Sequence, residues 1–202
     1  MDLGKYEESL KHHKKTISLD QKNPDALVNY AKSLSELGDF KEALICYEKV
    51  ITLNPQDYEV WMYKGIVLEK LRQYDNAIHA FNMSIQINCK NSQVFLCLAD
   101  LFSLLGRFED AINNYDRAIE LNPSYSQAFN NKGIALKFLM RLEEAINYFD
   151  KALSFNSTYL EALNNKGVTL KAFKYFDKAL SYFDKVLNLD PDYAEAWLNK
   201  GS

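Results

Sequence analysis

The sequence predicts an all-α fold, a right-handed α-solenoid (superhelix) of stacked antiparallel helix pairs, on three observations. Alanine recurs at Ala43, Ala77, Ala111, Ala145 and Ala179, each 34 residues after the last with no insertion or deletion. A fixed period of this length marks an array of supersecondary units. Within each period the apolar residues form two runs at helical spacing, separated by a short break. Finally, only 4 prolines and 7 glycines stand among 202 residues, too few for the turns of a many-stranded β fold.

Counted from Pro24, five full units follow: 24–57, 58–91, 92–125, 126–159 and 160–193. A half unit, 3–23, precedes them, because LGKYEESL at 3–10 matches LGDFKEAL at 37–44. The start of a further unit occupies 194–202, because AEAWLNKG at 194–201 matches SQAFNNKG at 126–133. The register thus places residues 1–202 in a single solenoid.

The first helix of each unit opens on a large apolar residue at the fourth place: Leu27, Trp61, Phe95, Phe129, Leu163 and Trp197. Its eighth place is always small, as Ala31, Gly65, Ala99, Gly133, Gly167 and Gly201. A small residue there lets paired helices approach to the short end of the usual interaxial range of about 8–10 Å. Gly38 and Gly106 then suit a left-handed helix end, whereas Arg72, Met140 and Lys174 hold that place in the other full units, whose turns must manage without glycine. The second helix carries the invariant alanine and, at the twenty-fourth place, an aromatic: Tyr47, Phe81, Tyr115, Phe149 or Phe183. Pro55, Pro123 and Pro191 close three units, with Cys89 and Ser157 at that place in the other two.

Composition narrows the function classes. The net charge of −3, from 24 basic and 27 acidic residues, argues against a phosphate-binding surface and so against nucleic acid. The opening MDLGKYEESL lacks the basic and apolar regions of a secretory signal. The most apolar stretch, VFLCLADLFSLL at 94–105, contains Asp100 and is far shorter than the roughly 20 residues of a membrane span. A soluble, cytoplasmic protein with no membrane partner is expected. Cys46, Cys89 and Cys97 are not spaced as zinc ligands, and His12, His13 and His79 do not form a helical metal pair. With no phosphate loop and no nucleophile elbow, the expectation is a non-enzyme with no catalytic residue, metal site or cofactor.

The period and its places resemble the tetratricopeptide repeat, a 34-residue helix–turn–helix, over residues 3–201. One departure is regular: Lys64, Lys132, Lys166 and Lys200 stand where the family has leucine, and a lysine stem lying on apolar neighbours explains them without a catalytic role. The resemblance implies that the first helices line a concave groove binding a peptide or protein segment.

If the fourth, eighth and eleventh places pack inward, the second, fifth, sixth, ninth, twelfth and thirteenth face that groove. Its first part is expected to be apolar, from Val28, Met62, Tyr63, Ile66, Leu96, Cys97 and Leu104, with Asn29 at its start. Its second part carries amides: Asn130, Asn131, Asn164, Asn165 and Asn199. An asparagine amide both donates and accepts, matching an extended peptide backbone. The pattern resembles the asparagine ladder in the tetratricopeptide region of O-linked N-acetylglucosamine transferases. No basic residue occupies the fifth place, which disfavours capture of a C-terminal carboxylate. A solvated groove face, and lateral packing between units, are the structural alternatives for these residues. Three functional readings follow: a scaffold holding a peptide or protein segment in the groove, a self-associating array joined end to end through its incomplete terminal repeats, and the substrate-targeting region of a larger enzyme.

Overall fold

The computed structural model describes residues 23–201, and the expected half unit 3–23 and His12 and His13 lie outside the described residues except for Asn23. Among these residues there are helices and no strands: α1 Pro24–Glu36, α2 Phe40–Leu53, α3 Tyr58–Lys70, α4 Tyr74–Ile87, α5 Ser92–Leu104, α6 Phe108–Leu121, α7 Ser126–Phe138, α8 Leu142–Phe155, α9 Leu160–Ala172, α10 Phe176–Leu189 and α11 Ala194–Gly201. Each full unit read from the sequence is therefore a helix pair. The chain divides into two compact units after Cys97, within α5.

Local chemistry sets the helix ends. Asn23 Oδ1 accepts from the Ala26 N–H at 3.0 Å, with Pro24 at the first helical position, and Asp57 caps α3 by accepting from Glu59 and Val60. The Asn and Asp residues that follow second helices close the connections between repeats. Asn88, Asn122, Asn156 and Asp190 each accept from the backbone N–H two residues on, a side-chain mimic of a turn. Between the helices of a pair, Gly38 and Gly106 adopt φ of 83° and 73°, and Arg72, Met140 and Lys174 adopt 59°, 60° and 62°. All five turns make the same bond from the following residue back into the helix, Asp39 N to Leu34 O at 2.9 Å and Arg141 N to Leu136 O at 2.9 Å among them. The turns without glycine hold the same left-handed conformation against its steric cost.

In the first unit the core gathers Leu27, Ala31, Leu34, Ala43, Cys46, Tyr47, Val50, Val60 and Val67 from α1, α2 and α3. In the second unit α6 to α11 pack each on the next, and the first helices α7, α9 and α11 also pack on one another. Its core clusters include Phe129 with Ala152 and Ala162, Leu170 with Ala179 and Phe183, and Leu163 with Val186, Leu187 and Ala196.

The small eighth place is sized to the aromatic of its partner helix. A Cβ on Gly65, Gly133 or Gly167 would lie 2.5–2.6 Å from the ring of Phe81, Phe149 or Phe183. Where the eighth residue is Ala31 or Ala99, the aromatic is Tyr47 or Tyr115, and the Tyr115 hydroxyl donates to Asp100 at 2.7 Å. Glycine goes with phenylalanine and alanine with tyrosine.

The four lysines do more than lay their stems on apolar neighbours. Each pairs with an acid on the second helix of the preceding repeat: Lys64 with Glu48 at 3.0 Å, Lys132 with Asp116, Lys166 with Asp150, and Lys200 with Asp184 at 2.7 Å. Lys132 and Lys166 are buried and also donate to Tyr148 and Tyr182 at 2.9 and 2.7 Å. Burial works against the charge of Lys166, but Asp150 and Tyr182 outweigh it and hold the ammonium above its usual range.

Two substitutions test this packing by thermal unfolding. Gly133→Ala forces a methyl into the Phe149 ring; overpacking of about 1–3 kcal/mol outweighs the roughly 1 kcal/mol that alanine gains in a helix, so the midpoint falls. Gly201→Ala, with nothing within 4 Å of the new Cβ, leaves it unchanged or higher. Met140→Gly relieves a left-handed residue that is 75% exposed and packs little. Relief of about 1–2 kcal/mol against an unfolded-state entropy gain of about 0.4–1 kcal/mol predicts a higher midpoint, and a fall would mean the turn is not strained.

Candidate functional site

The fifth and sixth places of the first helices, adjacent in sequence, have different fates because helical residues one apart are turned by about 100°. In the second unit the fifth-place Asn130 and Asn164 are 2% and 4% exposed, whereas the sixth-place Asn131, Asn165 and Asn199 are half-buried. The fifth place points at the first helix of the next repeat. A buried amide there needs partners, and the next repeat supplies them. Asn165 Nδ2 donates to Asn130 Oδ1 at 3.2 Å, and Asn199 Nδ2 donates to Asn164 Oδ1 at 3.0 Å. Each bond runs from a sixth place to the fifth place of the preceding repeat.

The ladder continues at both ends. Asn130 Nδ2 donates to Asn131 Oδ1 at 3.1 Å, and Asn131 Nδ2 donates to Asp100 Oδ1 at 2.9 Å. The same Asp100 oxygen accepts from the Tyr115 hydroxyl at 2.7 Å. At the other end Asn164 Nδ2 donates to Glu195 Oε2 at 3.4 Å. Asn130 is thus engaged through both its amide nitrogen and its oxygen. Burial, followed by the Asp100 carboxylate, pushes the Tyr115 phenol well above its usual range; burial, with Glu161 and then Asp100, also raises Tyr159. Tyr115 thus stays a neutral donor to Asp100 at physiological pH.

Asp100, Ser103, Tyr115, Asn131 and Ile134 line an open pocket of about 200 Å³ at the start of the row. The sequence reading missed Asp100, Tyr115 and Glu195 as parts of the amide system. Asp100 was legible in principle: it is the only acid at the ninth place, where Lys32, Ile66, Ile134 and Val168 stand in the other full repeats.

In the first unit the same places are apolar. Met62 and Leu96, at the fifth place, are buried, and Met62 Sδ receives Asn91 Nδ2 at 4.0 Å. At the sixth place Asn29 is exposed, and Tyr63 lies half-buried with its ring stacked on Tyr47 at 6.0 Å and Lys32 Nζ 4.3 Å above it. Cys97 Sγ lies 3.6 Å from Gln93 Nε2, and Ile66 is half-buried. Met62 and Leu96 are thus occupied by packing, and the accessible part of this face is Asn29, Tyr63, Ile66 and Cys97. Leu104, at the thirteenth place, belongs to the second unit and is exposed.

Among the described residues no group of three or more His, Cys, Asp or Glu side chains is placed to hold a metal ion, and no helix is long and apolar enough to cross a membrane. Cys46, Cys89 and Cys97 form no disulfide among the described residues.

Comparison with known proteins agrees with this architecture. Family models described as tetratricopeptide repeat match residues 1–65, 126–159 and 160–193, and one described as TPR repeat matches 99–137. The search of curated proteins returned no match. Among solved structures the chain is similar to YrrB, described as a TPR protein with an unusual peptide-binding site, at 25% identity and a TM-score of 0.71, covering 94% of this chain and 98% of that one. It is also similar in fold to TTC0263, a thermophilic TPR protein of Thermus thermophilus, at 19% identity and a TM-score of 0.71, covering 89% and 97%. A third likeness in fold, to a chain of the APC/C hetero-tetramer Cut9-Hcn1, has a TM-score of 0.83 at 16% identity and covers 98% of this chain but 39% of that one. Constant 34-residue phase, a helix pair in every full period and family models matched along both units lead to one assignment: the chain belongs to the tetratricopeptide repeat family.

Proposed function

We propose that this protein is a protein-interaction scaffold whose second unit holds an extended segment of a partner protein along Asn131, Asn165 and Asn199. The observation that carries the reading is the lateral ladder. Each sixth-place amide is anchored by one hydrogen bond to the preceding repeat, and Asn131 also accepts from Asn130, which fixes its orientation and leaves its remaining donor and acceptor capacity for a ligand. Such a row is preorganised, so little side-chain entropy is lost on binding. The fifth-place amides, Asn130 and Asn164, serve as its foundation and not as ligand contacts.

Spacing favours a particular backbone. Packed helices lie about 8–10 Å apart, and a polyproline II segment of three residues per turn with a rise of about 3.1 Å repeats roughly every 9 Å. One amide per repeat would then meet the same face of the ligand once per turn. Asp100, beside Asn131, repels a carboxylate and favours a donor, so an internal segment suits the row better than a free C-terminus. The similarity to YrrB, with its peptide-binding site, supports a peptide as the class of ligand.

The test begins by selecting binders from a library of unstructured peptides and measuring affinity calorimetrically. Asn131→Ala with Asn165→Ala removes two ligand hydrogen bonds, each worth about 0.5–1.5 kcal/mol, and affinity falls by roughly 5- to 150-fold. Circular dichroism checks that both repeats remain folded. Unchanged affinity in the folded double variant would remove the amide row from the binding site.

A further inference from the structure

A second feature of the second unit lies away from the amide row. Leu153, Ser157, Leu163, Tyr182, Lys185 and Leu189 are among the residues lining a cavity of about 520 Å³, a volume within the usual range of ligand pockets. Its origin is visible in the sister repeats. At the fourth place, Trp61 and Trp197 donate their indole N–H to the carbonyls of Pro55 and Pro191, six residues earlier, at 3.0 and 2.9 Å. Phe129, at the same place, stacks on Tyr148 and Phe155 at 6.2 and 5.6 Å. The counterparts of those two rings one repeat later are Tyr182 and Leu189, and both line the cavity.

Here, however, the fourth place is Leu163, and the residue six earlier is Ser157 instead of proline. Leu163 is 4% exposed, turned into the core with Val186 and Ala196, and does not fill the space an aromatic takes elsewhere. Among the described residues no group donates to the Ser157 carbonyl, which occupies the place of the two that accept an indole. Lysines flank this ring as they do its counterpart: Lys166 and Lys185 lie 4.6 and 4.8 Å from the Tyr182 ring centroid, and Lys132 and Lys151 lie 4.3 and 4.6 Å from that of Tyr148.

We propose that this cavity is a docking site for a tryptophan side chain of a partner protein, which supplies in trans the aromatic that Leu163 omits. The indole would lie between Tyr182 and Leu189, donate its N–H to the Ser157 carbonyl, and gain cation–π contact with the neighbouring ammonium groups. The occupant is argued from the repeat itself: tryptophan, phenylalanine and leucine each hold the fourth place twice, and the two tryptophans donate to the carbonyl six residues earlier.

The experiment uses the full chain and N-acetyl-tryptophanamide as the probe, followed by two-dimensional amide NMR. Shifts are expected at residues 157–159 and around Tyr182 and Leu189, and are lost in Leu163→Trp and in Leu163→Phe, the latter copying Phe129 should the larger residue disturb folding. The N1-methyl analogue, which lacks the donor, should bind about 2- to 10-fold more weakly, and Asn165→Ala should bind the probe as the parent does. Absence of shifts at these residues up to the solubility limit, or their persistence in a folded Leu163→Phe chain, would overturn the site. Equal binding of the methylated analogue would overturn the hydrogen bond to Ser157 and with it the choice of indole.

Discussion

At the eighth place of each first helix the partner helix comes so close that an aromatic ring rests on a bare or nearly bare Cα: Phe149 on Gly133, Phe183 on Gly167, Phe81 on Gly65. These rings are buried, as are the alanines of the second helices, Ala77, Ala145 and Ala179, so each pair is fixed by small residues on both sides. Interiors packed at this density cannot absorb a slip of one residue without clash. The pair is thereby a rigid piece, and its rigidity decides where every other place points. Because the eighth place is pinned against the second helix, the fifth must meet the next repeat and the sixth must turn outward.

What joins pair to pair is more varied, and here the two units differ. In the first unit Met62 and Leu96 fill the fifth place with apolar bulk; in the second, Asn130 and Asn164 fill it with hydrogen-bonded amides. An amide buried at this place without partners would be costly, so its presence obliges the next repeat to carry a matching donor. Asn165 and Asn199 meet that obligation. The lysines follow the same logic: buried Lys132 and Lys166, half-buried Lys64 and exposed Lys200 each find an acid sixteen residues earlier, and the corresponding pair in the register, Asn82 and Leu98, carries neither charge. Buried ion pairs add little net stability, but breaking one is expensive, which makes them devices of register more than of strength.

This division of labour explains how much could be read beforehand. The helix pairs, the turns at Gly38 and Gly106 and the eighth-place contacts follow from single residues whose size or backbone freedom has one use. The left-handed Met140 and Lys174 were legible only through the period, since neither residue favours that conformation. The amide row was visible as a composition, yet adjacent asparagines in NNKG look alike in sequence while one of each pair is buried and the other is not. Their partners, Asp100 and Glu195, lie 31 residues away from Asn131 and Asn164, in neighbouring repeats. Only stacking reveals such a pairing, because it depends on the offset between successive pairs and not on any local rule.

The same offset separates the two candidate sites. Leu163 and Asn165 are two residues apart on α9, hence turned by about 200° from each other. One therefore faces the cavity beside α10, and the other faces outward on the first-helix side, where the amide row runs. The two surfaces also ask for different things. On the proposed reading, an amide row fixed by lateral bonds would read main chain, which every peptide has; a cavity left where other repeats carry an aromatic would read one side chain, which few positions carry. A ligand held by the first alone would be chosen weakly, and one held by the second alone would be chosen by a single residue. Since residues 163 and 165 share a rigid helix, any partner engaging both must span from one side of α9 to the other, and any two partners engaging one each can do so without competing.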